Sequence, residues 1–228
     1  VGKVITLATP AAVAGYKFND WVVTGATKNA DGTYTVGAGN VTAVGSWSAE
    51  SGITYKVLRW FEIIGKDGQY AAEAEAITFT DGVAGQIATY NVTVPGFTYA
   101  KTEPADAIIK GDGTTLINVY YDRKTVDVTI LGEDDKPIIE TEVEFEDKIQ
   151  KPEDPKPSDE GTKFDHWEYE DGTPVEWPIT VESEDPITIK PVFVPNTYRV
   201  NFYEAAGKVY AYDDLEYKST IEKPSGVP

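Results

Sequence analysis

The sequence holds few side chains of the kinds that carry out catalysis. Among its 228 residues it has one histidine, His166, and no cysteine. Histidine–serine and histidine–cysteine pairs therefore have a single imidazole to draw on, and no thiolate is available as a nucleophile. In a sister segment, Phe18-Asn19-Asp20-Trp21 matches Phe164-Asp165-His166-Trp167, so an aspartate takes the place of the histidine. We therefore expect His166 to be structural and the chain not to be an enzyme.

Carboxylates are abundant, with 38 acidic against 20 basic side chains. Glycosidases need two carboxylates held a fixed distance apart in a cleft, and small repeated segments predict no deep cleft. Glu140, Glu142, Glu144 and Glu146 alternate with apolar residues, which predicts an acidic face along one strand. This face is either a solvated surface that prevents edge-to-edge aggregation or a surface for calcium or a basic partner. No EF-hand spacing accompanies it, so we expect no cofactor and keep Ca²⁺ as an alternative.

Aromatic side chains are the second candidate set. The chain has 14 tyrosines and 5 tryptophans, and three of them, Trp60, Tyr120 and Tyr121, are candidates for contact with a glycan. Neighbouring residues of a strand point to opposite faces, so one of Tyr120 and Tyr121 is expected in the core and the other outside. Core packing is expected to account for most of the remaining aromatic residues.

The elements that would position these residues recur along the chain. Strand-like segments that begin at Thr54, Thr125 and Thr197 lie 71 and 72 residues apart. Each unit also carries a glycine followed by aromatic residues. These glycine marks read Gly15-Tyr16-Lys17-Phe18, Gly96-Phe97-Thr98-Tyr99 and Gly161-Thr162-Lys163-Phe164. A fixed period of this size is typical of tandem repeats.

The period predicts four segments. Residues 1–52 are expected to be the C-terminal part of a module, 53–124 and 125–195 two whole modules, and 196–228 the N-terminal part of another. The repeat 125–195 carries a net charge of −15 out of −18 for the chain. The short separation between segments predicts a stiff, elongated rod. The two partial segments indicate either a piece of a longer array or subunits that complete one another head to tail.

Period-two alternation predicts a mostly β or small α+β fold. Ile139, Thr141, Val143 and Phe145 form the apolar side of one such strand. Short helical pieces are expected at 10–14 and 104–108. Aspartate–glycine pairs predict hairpin turns at Asp31-Gly32, Asp67-Gly68, Asp112-Gly113 and Asp171-Gly172.

The charge and the hydropathy of the chain exclude two classes of partner. A net charge of −18 repels the phosphates of nucleic acid, so none is expected to bind. No apolar run of about 18 residues is present, so we expect no transmembrane segment.

Two units resemble known families. Phe145-Glu146-Asp147-Lys148-Ile149, Pro152 and Gly161 to Trp167 make the third unit similar to an internalin-type B repeat, also called a Listeria–Bacteroides repeat. That unit ends in Pro191-Val192-Phe193 and lacks the usual Leu-Tyr-Ala-x-Trp. The second unit resembles a mucin-binding-protein (MucBP) repeat in Tyr55-Lys56-Val57 and Val119-Tyr120-Tyr121.

The resemblance implies tandem β-grasp-like (ubiquitin-like) modules of a secreted bacterial surface protein, attached to the cell wall through a part not present here. It implies a stalk or spacer with adhesive contacts to host or microbial glycans or proteins, and no catalytic residues. Two alternatives stay open. One is a glycan- or mucin-binding module centred on 53–124, and the other is a self-assembling extracellular filament subunit.

Overall fold

A computed structural model describes residues 1–203, 207 and 209–222. Throughout this part of the chain the regular structure consists of β-strands, and no helix is present, so none could cross a membrane. The prediction of a mostly β chain is confirmed, whereas its α component is wrong. The chain divides into two compact units, Val1–Asp122 and Arg123–Pro228. The division at 52, 124 and 195 stays a prediction, and 204–206, 208 and 223–228 of the fourth segment lie outside the described residues.

The first unit contains three sheets. Its strands are β1 (Val4–Ile5), β2 (Tyr16–Thr24), β3 (Ala26–Lys28), β4 (Tyr34–Val36), β5 (Thr42–Ala49), β6 (Ser51–Ile63), β7 (Lys66–Ala72), β8 (Ile77–Val83), β9 (Phe97–Glu103) and β10 (Thr115–Arg123). Strands β2 and β5 form an antiparallel pair, and β1, β4 and β3 form a small sheet in that order. The largest sheet has the order β7-β6-β10-β9, with β8 also paired to β6.

The second unit also contains three sheets among its described residues. Its strands are β11 (Thr125–Leu131), β12 (Pro137–Glu144), β13 (Lys148–Ile149), β14 (Thr162–Tyr169), β15 (Ile179–Thr180), β16 (Ile187–Pro195), β17 (Thr197–Tyr203) and β18 (Val209–Glu216). The main sheet has the order β12-β11-β16-β14. Strand β13 pairs with β15, and β17 pairs with β18.

The two larger sheets share one strand order. In each, the first strand of the repeat lies beside its last strand, and the two run parallel at the centre of the sheet. Strand β6 pairs with β10 from Tyr55–Thr115 to Phe61–Tyr121, whereas β11 pairs with β16 only from Val128–Ile187 to Ile130–Ile189. The second repeat therefore has the longer parallel pairing.

The core of each unit lies under these central strands. In the first unit it is built on Tyr55, Val57, Ile117, Val119 and Tyr121, all buried. In the second unit its largest member is Trp167, which packs with four residues of the central strands: Val126, Val128, Ile130 and Ile189. Apolar residues two apart on a strand share a face, which is why alternate positions of β10 and β11 are buried.

The predicted helical pieces form turns and isolated bridges instead of helices. The carbonyl of Ala107 accepts a hydrogen bond from the amide of Ala88 over 2.9 Å. The amide of Ile109 donates to the carbonyl of Gln86 over 2.8 Å. Residues 10–14 end in a turn in which the amide of Tyr16 donates to the carbonyl of Val13. Five residues are too few to stabilise a helix on their own, so pairing with a neighbouring segment prevails.

Three of the four aspartate–glycine pairs lie at turns, and one prediction is wrong. Asp31-Gly32 connects β3 to β4, Asp112-Gly113 precedes β10, and Asp171-Gly172 follows β14. Asp67-Gly68 lies inside β7, and the turn between β6 and β7 is Ile64-Gly65. Gly65 has φ 68°, the left-handed conformation that a tight turn needs and that glycine adopts without strain.

Adjacent repeats meet in a joint made of backbone hydrogen bonds. The amide of Glu50 donates to the carbonyl of Gly15 over 2.8 Å, and the carbonyl of Glu50 accepts from Ala84 over 3.1 Å. At the matching joint of the second unit, Asn196 donates to Gly161 and accepts from Tyr217, both over 2.8 Å. Two of the three glycine marks, at Gly15 and Gly161, thus accept a hydrogen bond from the residue at the junction with the next repeat.

Candidate functional site

Three aromatic rings form an exposed face on the sheet of the second repeat. Trp60 of β6 is the direct neighbour of Tyr120 of β10, and their rings stack with centroids 5.6 Å apart at 20°. Tyr70 of β7 meets the Tyr120 ring edge-on at 5.2 Å. All three side chains are partly exposed. We call Trp60, Tyr70 and Tyr120 the aromatic face.

Polar groups hold each ring of the aromatic face in place. The indole Nε1 of Trp60 donates to Asn118 Oδ1 over 3.0 Å, and the Tyr70 hydroxyl donates to Asp122 Oδ1 over 2.6 Å. The ammonium group of Lys101 lies 4.6 Å from the centroid of the Tyr120 ring, which is a cation–π distance. Rings fixed in this way lose little side-chain entropy on binding a ligand.

The aromatic face combines what recognition of a flat, polyhydroxylated ligand requires. Ring surfaces offer apolar contact, and carboxylate, amide and ammonium groups around them offer hydrogen bonds of both kinds. Leu116, 47% exposed and two residues from Asn118 on the same strand face, extends the apolar part. Tyr70 and Asn118 were not among the predicted contacts. Alternation with buried neighbours places Asn118 on a strand face, but only the non-local pairing of β6 with β10 brings it beside Trp60. Tyr70 is brought to the aromatic face by the pairing of β7 with β6.

Tyr121 does not belong to this face. It is 1% exposed and stacks on Phe61 inside the core at 5.4 Å, and its hydroxyl has no hydrogen-bond partner. The expectation that one of Tyr120 and Tyr121 points inward is met, and the one inside is Tyr121. The prediction that Tyr121 could contact a glycan is therefore wrong, because a buried ring cannot reach a ligand.

The hydroxyl of Tyr70 gives the aromatic face a pH dependence. Its hydrogen bond to Asp122, followed by burial, raises the pKa of Tyr70 to about 12 from 10.0. A pKa raised in the folded state contributes stability that is complete below pH 10 and is lost as the pH rises towards about 12. We expect Tyr70→Phe to remove this part of the alkaline loss of stability. Urea unfolding of both proteins across this window measures it, and parallel pH profiles would contradict it.

The predicted acidic face is shorter than four residues. Glu140 and Glu142 are exposed on β12 and lie opposite Thr129 and Asp127 of β11, and Glu144 ends the strand half-buried. Glu146 lies beyond the strand at φ 68°, where its carboxylate accepts a hydrogen bond from Arg123 Nη1 over 2.8 Å. Its membership of the strand face was wrong, because the strand ends before it.

The apolar side of β12 is also less buried than the alternation predicted. Ile139 is 40% exposed and Thr141 is also exposed, whereas Val143 and Phe145 pack against the core. Strand β12 is the edge of its sheet, and only its C-terminal end lies over the core. The alternation thus predicted the strand correctly, but it did not predict which part of the strand covers the core.

His166 lies beside two carboxylates of β14, one of which is also paired with a lysine of β16. Its Nδ1 is 2.7 Å from Asp165 Oδ2 and its Nε2 is 3.8 Å from Glu168 Oε2, while Glu168 also pairs with Lys190 over 3.1 Å. No serine or threonine nucleophile takes part in these contacts. Within the described ranges, no group of three or more histidine, aspartate or glutamate side chains is arranged to hold a metal ion.

A comparison of the chain with models of protein families and with curated proteins found no match in either.

Proposed function

We propose that the chain is a non-catalytic, load-bearing spacer of a secreted bacterial surface protein, in which tandem β-grasp-like modules hold a distal part away from the cell wall. The order of the two larger sheets supports the β-grasp-like assignment, because a central parallel pair formed by the first and last strands of the repeat characterises that fold.

The parallel pairing of first and last strands carries this proposal. Tension along the chain pulls the start of β6 and the end of β10 in opposite directions. Because these strands are parallel neighbours, their hydrogen bonds are loaded in shear and must break together. The same holds for β11 and β16. A spacer under tension needs this resistance, whereas an isolated hairpin pulled at its open end loses its bonds one at a time.

Force spectroscopy on the whole chain, held by handles at both ends, tests the proposal. We expect two main unfolding events, each lengthening the chain by roughly 200–250 Å. The event at higher force should belong to the second repeat, because β6 and β10 pair along seven residues and β11 and β16 along three. Matched proline substitutions at Asn118 and Thr188 assign each event. Unfolding of both repeats at the low forces typical of unzipped hairpins would contradict the proposal.

The aromatic face favours a second candidate function, binding of a glycan by the second repeat. Its stacked rings are partly exposed and oriented by fixed hydrogen bonds. Lys101 and Glu103 lie at its border, paired with each other over 2.7 Å. Apolar packing alone does not require this arrangement, since core burial is provided by the opposite face of the same strands.

A glycan array probed with the whole chain tests this candidate. If a glycan binds, Trp60→Ala and Tyr120→Ala should each weaken binding at least about tenfold, which corresponds to about 1.4 kcal/mol. Tyr203→Ala is the matched control, because Tyr203 is an exposed aromatic residue outside this face. An array without binding, or equal losses in all three variants, would leave only the spacer function.

A further inference from the structure

The hairpin β17–β18 repeats the geometry of the hairpin β11–β12. Pairing runs from Thr125–Glu144 to Leu131–Pro137 in one and from Thr197–Glu216 to Tyr203–Val209 in the other, each position 72 residues later. The register shift before the last pair is also reproduced. Glu146 and Lys218, which follow the two hairpins, have φ 68° and 65°. The hairpin β17–β18 is therefore the first half of the same kind of module.

The hairpin β2–β5 repeats the pairing of β14 with β16 in the same way. Tyr16 pairs with Ala49 and Phe18 with Trp47, as Thr162 pairs with Pro195 and Phe164 with Phe193, 146 residues later. The register shift that follows Phe18 recurs after Phe164. The small pair β1–β4 corresponds to β13–β15. Residues 1–50 thus supply the second half of the module.

In each half-module, residues are accessible to solvent whose equivalents in the complete 125–195 repeat are buried. Val126 on β11 is 2% exposed, whereas Tyr198 at the same place on β17 is 48% exposed. Trp167 is 2% exposed, whereas the matching Trp21 is only half-buried. Among the described residues, β17 pairs with β18 alone and β5 with β2 alone, so each lacks the parallel neighbour that joins β11 to β16.

The side chains of the two halves complement one another in size and charge. At the central parallel pair, Ile130 faces Ile189, and the corresponding residues are Phe202 and Ala43, a larger one with a smaller one. Residues 1–52 carry no net charge and residues 196–228 carry −1, so their association meets little repulsion. The repeat 125–195, at −15, offers no such surface to a second copy.

We propose that these halves join between two copies of the chain, with β17 of one copy pairing in parallel with β5 of the next. The pairing follows the register of β11 and β16, which brings Val200 beside Val41, Asn201 beside Thr42 and Phe202 beside Ala43. The joined halves form a complete module, and repetition of the contact builds a head-to-tail filament. This contact is heterologous, so it propagates without closing unless the geometry forms a ring.

The mass of the 228-residue chain in solution is the first test. We expect light scattering to show species at multiples of 24.9 kDa, whose average size increases with protein concentration. Val200→Glu, which places a charge at the new parallel pair, should return the chain to the monomer, while Thr141→Glu on the exposed strand β12 should not. A monomer of 24.9 kDa at every concentration would overturn the proposal and would leave the spacer function standing.

Disulfide formation tests the register. The chain has no cysteine, so single substitutions are its only thiols. Mixing Thr42→Cys with Asn201→Cys should give a cross-linked dimer on mild oxidation, because paired strands bring Cα atoms within disulfide range. Mixing Thr42→Cys with Thr141→Cys is the matched control. Equal cross-linking in both mixtures would overturn the proposed pairing.

Discussion

Trp167→Ala is expected to unfold the 125–195 repeat. The indole is 2% exposed at the centre of that core, where it packs against Phe164 with ring centroids 5.5 Å apart. Removing a buried tryptophan of this kind costs about 3–5 kcal/mol. Since a whole small domain is stable by about 5 kcal/mol or little more, the loss removes most of the folded population. Thermal unfolding followed by near-ultraviolet circular dichroism measures the loss.

Trp167→Phe separates packing from hydrogen bonding in the same experiment. The indole Nε1 of Trp167 is buried without a hydrogen-bond partner, so phenylalanine removes part of the ring together with an unsatisfied donor. We expect it to destabilise the repeat clearly less than alanine does. The transition of the first unit should stay in place in both variants. An unchanged transition of the second unit in the alanine variant would contradict the prediction.

Gly111→Ala is expected to destabilise the first unit strongly. A β-carbon at this position would lie 1.9 Å from the carbonyl oxygen of Ala14 and 2.6 Å from the Cα of Gly15. Both are backbone atoms, one in Gly15 of the glycine mark and one in the residue before it, so the clash cannot be relieved by rotating a side chain. We expect a loss of roughly 2–3 kcal/mol in the free energy of unfolding of the first unit.

Gly39→Ala is the matched control for this glycine. A β-carbon there would meet nothing within 4 Å, and the residue has no left-handed φ. Its effect should stay within about 0.5 kcal/mol, as for other surface substitutions. Urea denaturation of the three proteins measures both changes. Similar stabilities for the two variants would show that the close approach of Gly15 and Gly111 is not needed for folding.

Local signals in the sequence predicted the strands well and their partners poorly. Alternation located β11 and β12, and the 72-residue period located matching hairpins. The parallel pairing of β6 with β10 joins residues about 60 positions apart, and no local pattern specifies it. The helix predicted at 104–108 failed for the same reason, because backbone pairing with 86–88 decided its conformation.

The candidate site was predictable in part. Strand alternation separated the outward Tyr120 from an inward neighbour but could not say which was which. Tyr70 became part of the aromatic face only through the pairing of β7 beside β6. Glu146 was wrongly predicted to lie on the acidic face, because β12 ends at Glu144. The end of a strand is set by the turn that follows it and not by the alternation of residues.

The joint between repeats has a consequence for how such a gene can change. Its backbone hydrogen bonds are the same whether the central residue is Glu50 or Asn196. At the second joint the side chain of Asn196 adds hydrogen bonds, from its Nδ2 to the carbonyls of Glu160 and Thr162, both over 3.2 Å. The part that the two joints share is therefore set by the backbone and by the glycine that precedes each second half. After duplication or deletion of one whole period, the repeats that become neighbours would still have the backbone groups that form the joint. Unequal recombination can thus adjust the number of repeats in one step without any compensating substitution.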